Sequence, residues 1–111
     1  MHVDDMVEAL LFVLDLPKDV YDAQTEPMLS HINVGSGVEI SIEDLASLIA
    51  RVVGFKGRIS QDATKPDGTM RKLMDVARLA RMGWTSSIPL EEGVADTYQW
   101  FLDHCSELRS A

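Results

Sequence analysis

Apolar residues along the chain recur with helical spacing in four places and alternate with polar ones in two. Met6, Ala9, Leu10, Val13 and Leu14 fall at i, i+3, i+4, i+7 and i+8, one face of a helix. Asp4 and Asp5 stand just before that face and suit a cap or first turn, where the helix dipole favours negative charge. Pro17 predicts its end, and the polar stretch from Lys18 to Pro27 reads as a loop. His31-Ile32-Asn33-Val34 then alternates as a short strand does, and Gly35-Ser36-Gly37 stops it.

A second helix has the clearest local signature. Ser41 is a natural cap with Asp44 three positions on, and Ile40 and Leu45 are spaced for a hydrophobic staple. Leu45, Leu48, Ile49, Val52 and Val53 form its expected buried stripe, and Gly54 is the expected left-handed terminator. A second short strand is predicted over Arg58 to Gln61, followed by a turn-rich basic run from Lys65 to Lys72. Asp75 is placed to cap a short helix carrying Val76, Leu79 and Ala80 and closed by Gly83. A last helix starts near Pro89 and Leu90, with Leu90, Val94, Tyr98, Phe101, Leu102 and Cys105 on its apolar face. This order predicts an α/β or α+β class with a small sheet and several helices. Two strands alone are marginal, which points to a partner outside them.

The 111 residues amount to one domain, with 46% apolar and 25% charged side chains, an ordinary globular balance. The longest apolar run, Ala9 to Leu14, is far short of the ~18 residues of a membrane span. The amino-terminal residues lack the features of a signal peptide, and a single cysteine cannot form an internal disulfide, so a cytoplasmic location is expected.

The net charge of −8 is unevenly spread. Eight of the ten basic residues lie between Arg51 and Arg81, opposed only by Asp62, Asp67 and Asp75. That third of the chain carries +5 and the remainder −13. An acidic whole disfavours a nucleic-acid binder, which needs broad phosphate neutralisation. A local basic segment suits a small anion such as a nucleotide; the alternative is that these cations pair with acidic neighbours in the fold.

Most candidate chemistry fails on spacing. Gly35-Ser36-Gly37 sits where a dinucleotide fingerprint would, but Ile40 stands in place of the third glycine and no acidic residue follows at the right distance, so it reads as a strand-to-helix turn. His2, His31, His104 and Cys105 are too scattered for a metal site, and Cys105 falls on an apolar helix face. Neither Tyr21 nor Tyr98 is followed four residues later by a lysine. The run Lys65-Pro66-Asp67-Gly68-Thr69-Met70-Arg71-Lys72 is different. Pro-Asp-Gly makes a turn that presents an acidic acceptor, and Arg71 and Lys72 are phosphate-gripping donors. That combination suits a ligand with hydroxyl donors and phosphates, as in a sugar nucleotide; a solvated surface turn is the alternative.

His2-Val3-Asp4-Asp5-Met6, His31-Ile32-Asn33-Val34-Gly35-Ser36-Gly37, Lys65-Pro66-Asp67-Gly68-Thr69 with Arg71-Lys72-Leu73, Gly83-Trp84, and Thr97 to Leu102 occur together and in order. In these the chain resembles the carboxy-terminal part of the GDP-L-fucose synthases, NADP-dependent GDP-4-keto-6-deoxymannose 3,5-epimerase/4-reductases within the extended short-chain dehydrogenases/reductases. The first two stretches are shared widely among sugar-nucleotide members; the Lys-Pro-Asp-Gly-Thr run with its Arg-Lys is much more specific to the fucose synthases. The resemblance covers essentially the whole chain.

The resemblance implies a substrate lobe without its Rossmann domain. The glycine-rich NADP loop, the serine-tyrosine-lysine relay and the epimerisation cysteine and histidine of the family lie upstream of the matched stretches, so no residue here is assigned a catalytic, cofactor or metal role, and Met1 reads as an introduced or alternative start. Asp67 is the implied substrate contact, and Lys72 and Arg71 are implied on the diphosphate side. Met70 replaces a usual proline, which loosens the loop, and Pro89 replaces a usual serine cap, which a helix start tolerates. The implied parent is a homodimer using NADP and a GDP-sugar, with no nucleic-acid or membrane partner. The segment alone is expected to lack reductase activity, and the alternatives are an anion- or nucleotide-binding module and a self-associating one.

Overall fold

Helix α1 spans Val3–Asp15 and is capped by His2, whose Nδ1 accepts from the Asp4 N–H at 3.3 Å, leaving both aspartates in the first turn. Its inward side is Asp5, Ala9, Phe12 and Val13, with Leu16 just past its end; of the predicted stripe Ala9 and Val13 face inward, whereas Met6, Leu10 and Leu14 are exposed. Both stripes obey the helical period, and they differ by a rotation of about one residue. In this computed structural model residues 1–66, 68 and 73–108 are described.

The stretch after Pro17, predicted as a loop, contains helix α2, Lys18–Gln24. Proline fixes a backbone angle suited to a helix start. Lys18 and Asp22 form an i,i+4 ion pair, and Tyr21 packs against the core. A turn follows in which Leu29 N–H donates to Glu26 O at 2.9 Å, with Pro27 second and Met28 third at φ 71°. Pro followed by a positive-φ residue is a type II turn, normally filled by glycine at that third position.

Helix α3, Ile42–Val52, forms as read. The Ser41 hydroxyl accepts from the Asp44 N–H at 3.0 Å and donates to its carboxylate at 2.6 Å. Gly54 adopts φ 69° and Phe55 N–H closes back onto Ala50 O at 2.9 Å. Within the predicted stripe Leu48 is buried, whereas Ile49 and Val53 are exposed. Helix α4, Ala77–Met82, begins with the Asp75 carboxylate accepting from Ala77 N–H at 2.9 Å and ends at Gly83. Helix α5, Leu90–Leu108, starts where Pro89 O accepts from Gly93 N–H. Trp100, Phe101 and Leu102 on it are exposed.

No strand forms among the described residues; the one β pairing is an isolated bridge between Glu26 and Leu29. The small sheet of the predicted α/β or α+β class is therefore not realised among the described residues, whose regular elements are all helices. The 31–34 segment keeps the predicted alternation, with Ile32 and Val34 packed on the core and His31 and Asn33 exposed. It lacks a ladder because no second strand lies beside it, and side chains replace one. Arg78 Nη1 donates to the carbonyls of Leu29 at 2.8 Å and His31 at 2.6 Å, and Asn33 Nδ2 donates to Asp75 O at 3.1 Å. The 58–61 segment is likewise unpaired.

The chain divides into two compact units, Met1–Glu39 with Lys72–Ile88 and Ile40–Arg71 with Pro89–Ala111. The first packs α1, α2, α4 and the 31–34 segment around Ala9, Leu79 and Met82. The second packs α3 against α5, with Leu48 buried.

Candidate functional site

The structure divides the basic third of the chain into two groups. Arg51 is held by Glu91, with Nη2 to Oε1 at 3.0 Å; Arg78 by the two carbonyls above; and Arg81 by Gln24 Oε1 at 3.1 Å. These three are structural. The side chains of Lys56, Arg58 and Lys65 have no hydrogen-bond or ion-pair partner among the described residues. The predicted site residues Asp67, Arg71 and Lys72, and Met70 beside them, lie outside the described residues.

What precedes and follows the basic run is well defined. Before it, the Asp62 carboxylate accepts from the Thr64 hydroxyl at 2.6 Å and the Thr64 N–H at 3.0 Å, and Lys65 N–H donates to Asp62 O. The Thr64 hydroxyl first, then its N–H, hold the Asp62 carboxyl below the ordinary aspartate range. After it, Met74, Asp75 and Val76 are pinned to the 33–37 segment. Asn33 holds Asp75, and the glycines of Gly35-Ser36-Gly37 let the turn approach closely. A Cβ on Gly35 would lie 3.1 Å from Met74 Cε, and one on Gly37, where φ is 68°, would lie 3.0 Å from Val76 Cγ2.

That contact decides how the turn is used. A dinucleotide-binding glycine turn leaves its backbone open to a pyrophosphate. Here the close approach is taken by the protein's own Met74 and Val76, so the turn does not fit NADP. The cavity beside it, lined by Gly35, Ser36, Val76, Leu79, Ala80, Trp84, Thr85 and Ser86, is about 40 Å³, room for a water or two. A larger depression of about 350 Å³ is lined by Tyr21, Asp22, Thr25, Glu26, Pro27 and Ser30. Its size would admit a ligand, but its two carboxylates would repel a diphosphate.

Asp5 is a structural residue that sequence reasoning missed. It is 1% exposed and accepts from Ser87 N at 3.0 Å, Ser87 Oγ at 3.1 Å and Ile88 N at 3.1 Å. The Ser87 N–H above all holds its carboxyl below the ordinary range, against burial, which pushes it up; the Ile88 N–H, the Ser87 hydroxyl and His2 add to the lowering. A readable signal was its place on the inward stripe with Ala9, Phe12 and Leu16, where a carboxylate needs partners. His2 caps α1, His31 is exposed, Cys105 is half-buried, and His104 stacks on Trp100 with ring centroids 4.4 Å apart. Among the described residues no three His, Cys, Asp or Glu side chains group as metal ligands, and no helix is long and apolar enough to cross a membrane.

GDP-L-fucose synthase of Escherichia coli (strain K12) is 55% identical over 109 residues, 98% of this chain and 34% of the bacterial protein. The chain is a homologue of the GDP-L-fucose synthases. GDP-L-fucose synthase 1 of Arabidopsis thaliana is 47% identical over 102 residues, 92% of this chain and 29% of the plant protein. The chain thus spans about a third of the length of the GDP-L-fucose synthases it matches. No family model matches it. Among solved structures, a GDP-6-OMe-4-keto-L-xylo-heptose reductase from C. jejuni superposes with a TM-score of 0.81 at 29% identity, over 94% of this chain and 30% of that one. A GDP-mannoheptose C4 reductase from Campylobacter jejuni with NADP bound gives 0.77 at 26% identity, over 92% and 30%.

Proposed function

We propose that this chain is the carboxy-terminal, substrate-holding part of an NADP-dependent GDP-4-keto-6-deoxymannose 3,5-epimerase/4-reductase that makes GDP-L-fucose. The 55% identity to a GDP-L-fucose synthase across 98% of the chain carries this reading. Its own contribution is to bind and orient. Asp67 accepts hydrogen bonds from hydroxyls of the GDP-sugar. Arg71 grips the diphosphate with two parallel N–H donors, and Lys72 adds a point charge. Holding the sugar in register beside groups that act on it is catalysis by positioning. NADP and the reacting groups belong to the rest of the enzyme, a cytoplasmic homodimer, and no step of the reaction runs through this chain's glycine turn.

The turns on either side of the basic run support this reading: Asp62 and Thr64 form a local turn before it, and Asn33, Gly35 and Gly37 hold the segment after it. Calorimetric titration of the chain with GDP-mannose, UDP-glucose and inorganic phosphate tests it. Weak, saturable binding of the GDP-sugar is expected, with no binding of phosphate at the same concentration, and Asp67→Ala should erase the difference. Equal binding of all three would overturn it.

A further inference from the structure

The Gly35-Ser36-Gly37 turn does not fit NADP, yet three successive residues just past the basic run are fastened to it and its flank. Met74 lies against Gly35, Asp75 receives a hydrogen bond from Asn33, and Val76 lies against Gly37. We propose that Asn33 is a positioning residue for GDP-sugar binding, setting through Asp75 the place from which Arg71 and Lys72 reach the diphosphate. That role rests on the reading above, in which the Lys65–Lys72 run holds the ligand.

Asn33 has a firm base. Its neighbours Ile32 and Val34 pack on the core, and Arg78 Nη1 holds the carbonyl of His31 at 2.6 Å. Alternation turns Asn33 outward, and its Nδ2 donates to Asp75 O at 3.1 Å, across 42 positions of sequence. Asp75 is also held from the other side, because its carboxylate accepts from Ala77 N–H at 2.9 Å at the start of α4. Both residues lie in the first compact unit. Lys72 and Arg71 stand three and four positions before Asp75. Three residues of chain span at most about 11 Å, so Lys72 works on a short tether from a fixed point.

The Asn33 bond does more for position than for the fold. Asn33 is exposed and fills no place in the core. The apolar contacts of Met74 and Val76 keep the segment close but set no direction, whereas a hydrogen bond does. Donors placed before a ligand arrives remove part of the ordering cost of binding. A single net hydrogen bond is worth about threefold to tenfold in an equilibrium, which bounds the effect.

Calorimetric titration of the 111-residue chain with GDP-mannose, well below every melting midpoint, tests this. Asn33→Ala removes the donor with its volume and Asn33→Leu removes the donor alone. Each is expected to weaken binding about threefold to tenfold. Asn33→Gln, which keeps an amide donor, should recover most of the loss. Asp5→Asn is the comparison: it should lower the melting temperature more than any Asn33 variant, yet bind as the wild type does. Arg71→Ala weakens binding by itself, and Asn33→Leu added to it should cost less than in the wild type, because one donor it positions is gone. Wild-type affinity in both donor-less variants, no recovery in Asn33→Gln, an equal loss in Asp5→Asn, or strict additivity with Arg71→Ala would overturn the proposal. A wild type that binds no GDP-mannose would instead overturn the reading of the basic run, and this role with it.

Discussion

Asp5 takes two hydrogen bonds from Ser87, one from its N–H at 3.0 Å and one from its hydroxyl at 3.1 Å, across 82 positions of sequence. Together with the Ile88 N–H this ties the first turn of α1 to the point where the first unit ends. Removing the carboxylate leaves two half-buried backbone donors without their acceptor. Asp5→Ala and Asp5→Asn are both expected to lower the melting temperature by several degrees, the asparagine variant less because one acceptor oxygen remains. Ser87→Ala, which removes only the hydroxyl, should cost far less. Thermal unfolding of the three variants checks the order.

The same carboxylate sets an acid limit. Its folded pKa is depressed, so its contribution is complete above the ordinary aspartate value of about 3.9 and is lost as pH falls through the lower folded value. Stability should therefore fall below about pH 4, and the fall should be shallower in Asp5→Asn, which has no proton to take up. Asp62, held low by Thr64 on an exposed turn, adds a smaller contribution of the same sign. Denaturant titrations between about pH 3 and pH 6 read the two slopes. Parallel curves for wild type and Asp5→Asn would show that this carboxylate is not the source.

Gly37 joins a positive φ to a 3.0 Å approach to Val76, so Gly37→Ala is expected to destabilise by about 1–3 kcal/mol. Val76→Ala should relieve the contact but not the backbone, so the double variant should lose less than the sum of the singles. Chemical denaturation of all four proteins measures this coupling, and strict additivity would count against a direct contact.

Met28 is the reverse case. It holds φ 71° although it is 98% exposed, so its side chain stabilises nothing. A left-handed residue with a Cβ costs about 1–2 kcal/mol, and glycine's extra freedom in the unfolded chain offsets about half of that. Met28→Gly should raise stability by roughly 0.5 kcal/mol, while Met28→Ala should leave it unchanged. Equal stability of all three would remove strain from the account.

Helix ends were legible because their chemistry is local. Ser41 with Asp44, Gly54, Asp75 and Gly83 each act within a turn of their own position. Sidedness was legible only in part. Ala9 and Val13 do face the core, but Met6, Leu10 and Leu14 satisfy the helical period as well as Phe12 and Leu16 do, and the hydrogen bonds from the distant Ser87 and Ile88 to Asp5 turn the helix toward the latter. The strand at 31–34 was misjudged for a related reason: alternation records which side chains are buried, and Ile32 and Val34 are. A strand also needs a neighbour, and here Arg78 and Asn33 take that place. The loop assigned after Pro17 failed because α2 is polar and short, and its Tyr21 packs on the core from a sequence without helical periodicity. At the candidate site the basic cluster was visible as charge, but division into structural and free cations required knowing that Arg51 meets Glu91 and Arg78 meets two carbonyls.

Because the Gly35-Ser36-Gly37 turn is filled by Met74 and Val76, the chain by itself is expected to oxidise no NADPH in the presence of a GDP-4-keto sugar. An absorbance assay at 340 nm on purified protein reads this directly. A rate above the protein-free blank that scales with protein concentration would contradict it.

The central claim, that this chain holds a GDP-sugar through its Lys65–Lys72 run, is tested most directly by following every backbone amide by NMR while GDP-mannose is added. The expected result is saturable shifts concentrated between Lys65 and Asp75, absent in Asp67→Ala. Shifts centred on the Tyr21–Ser30 depression instead, or none that saturate, would contradict it.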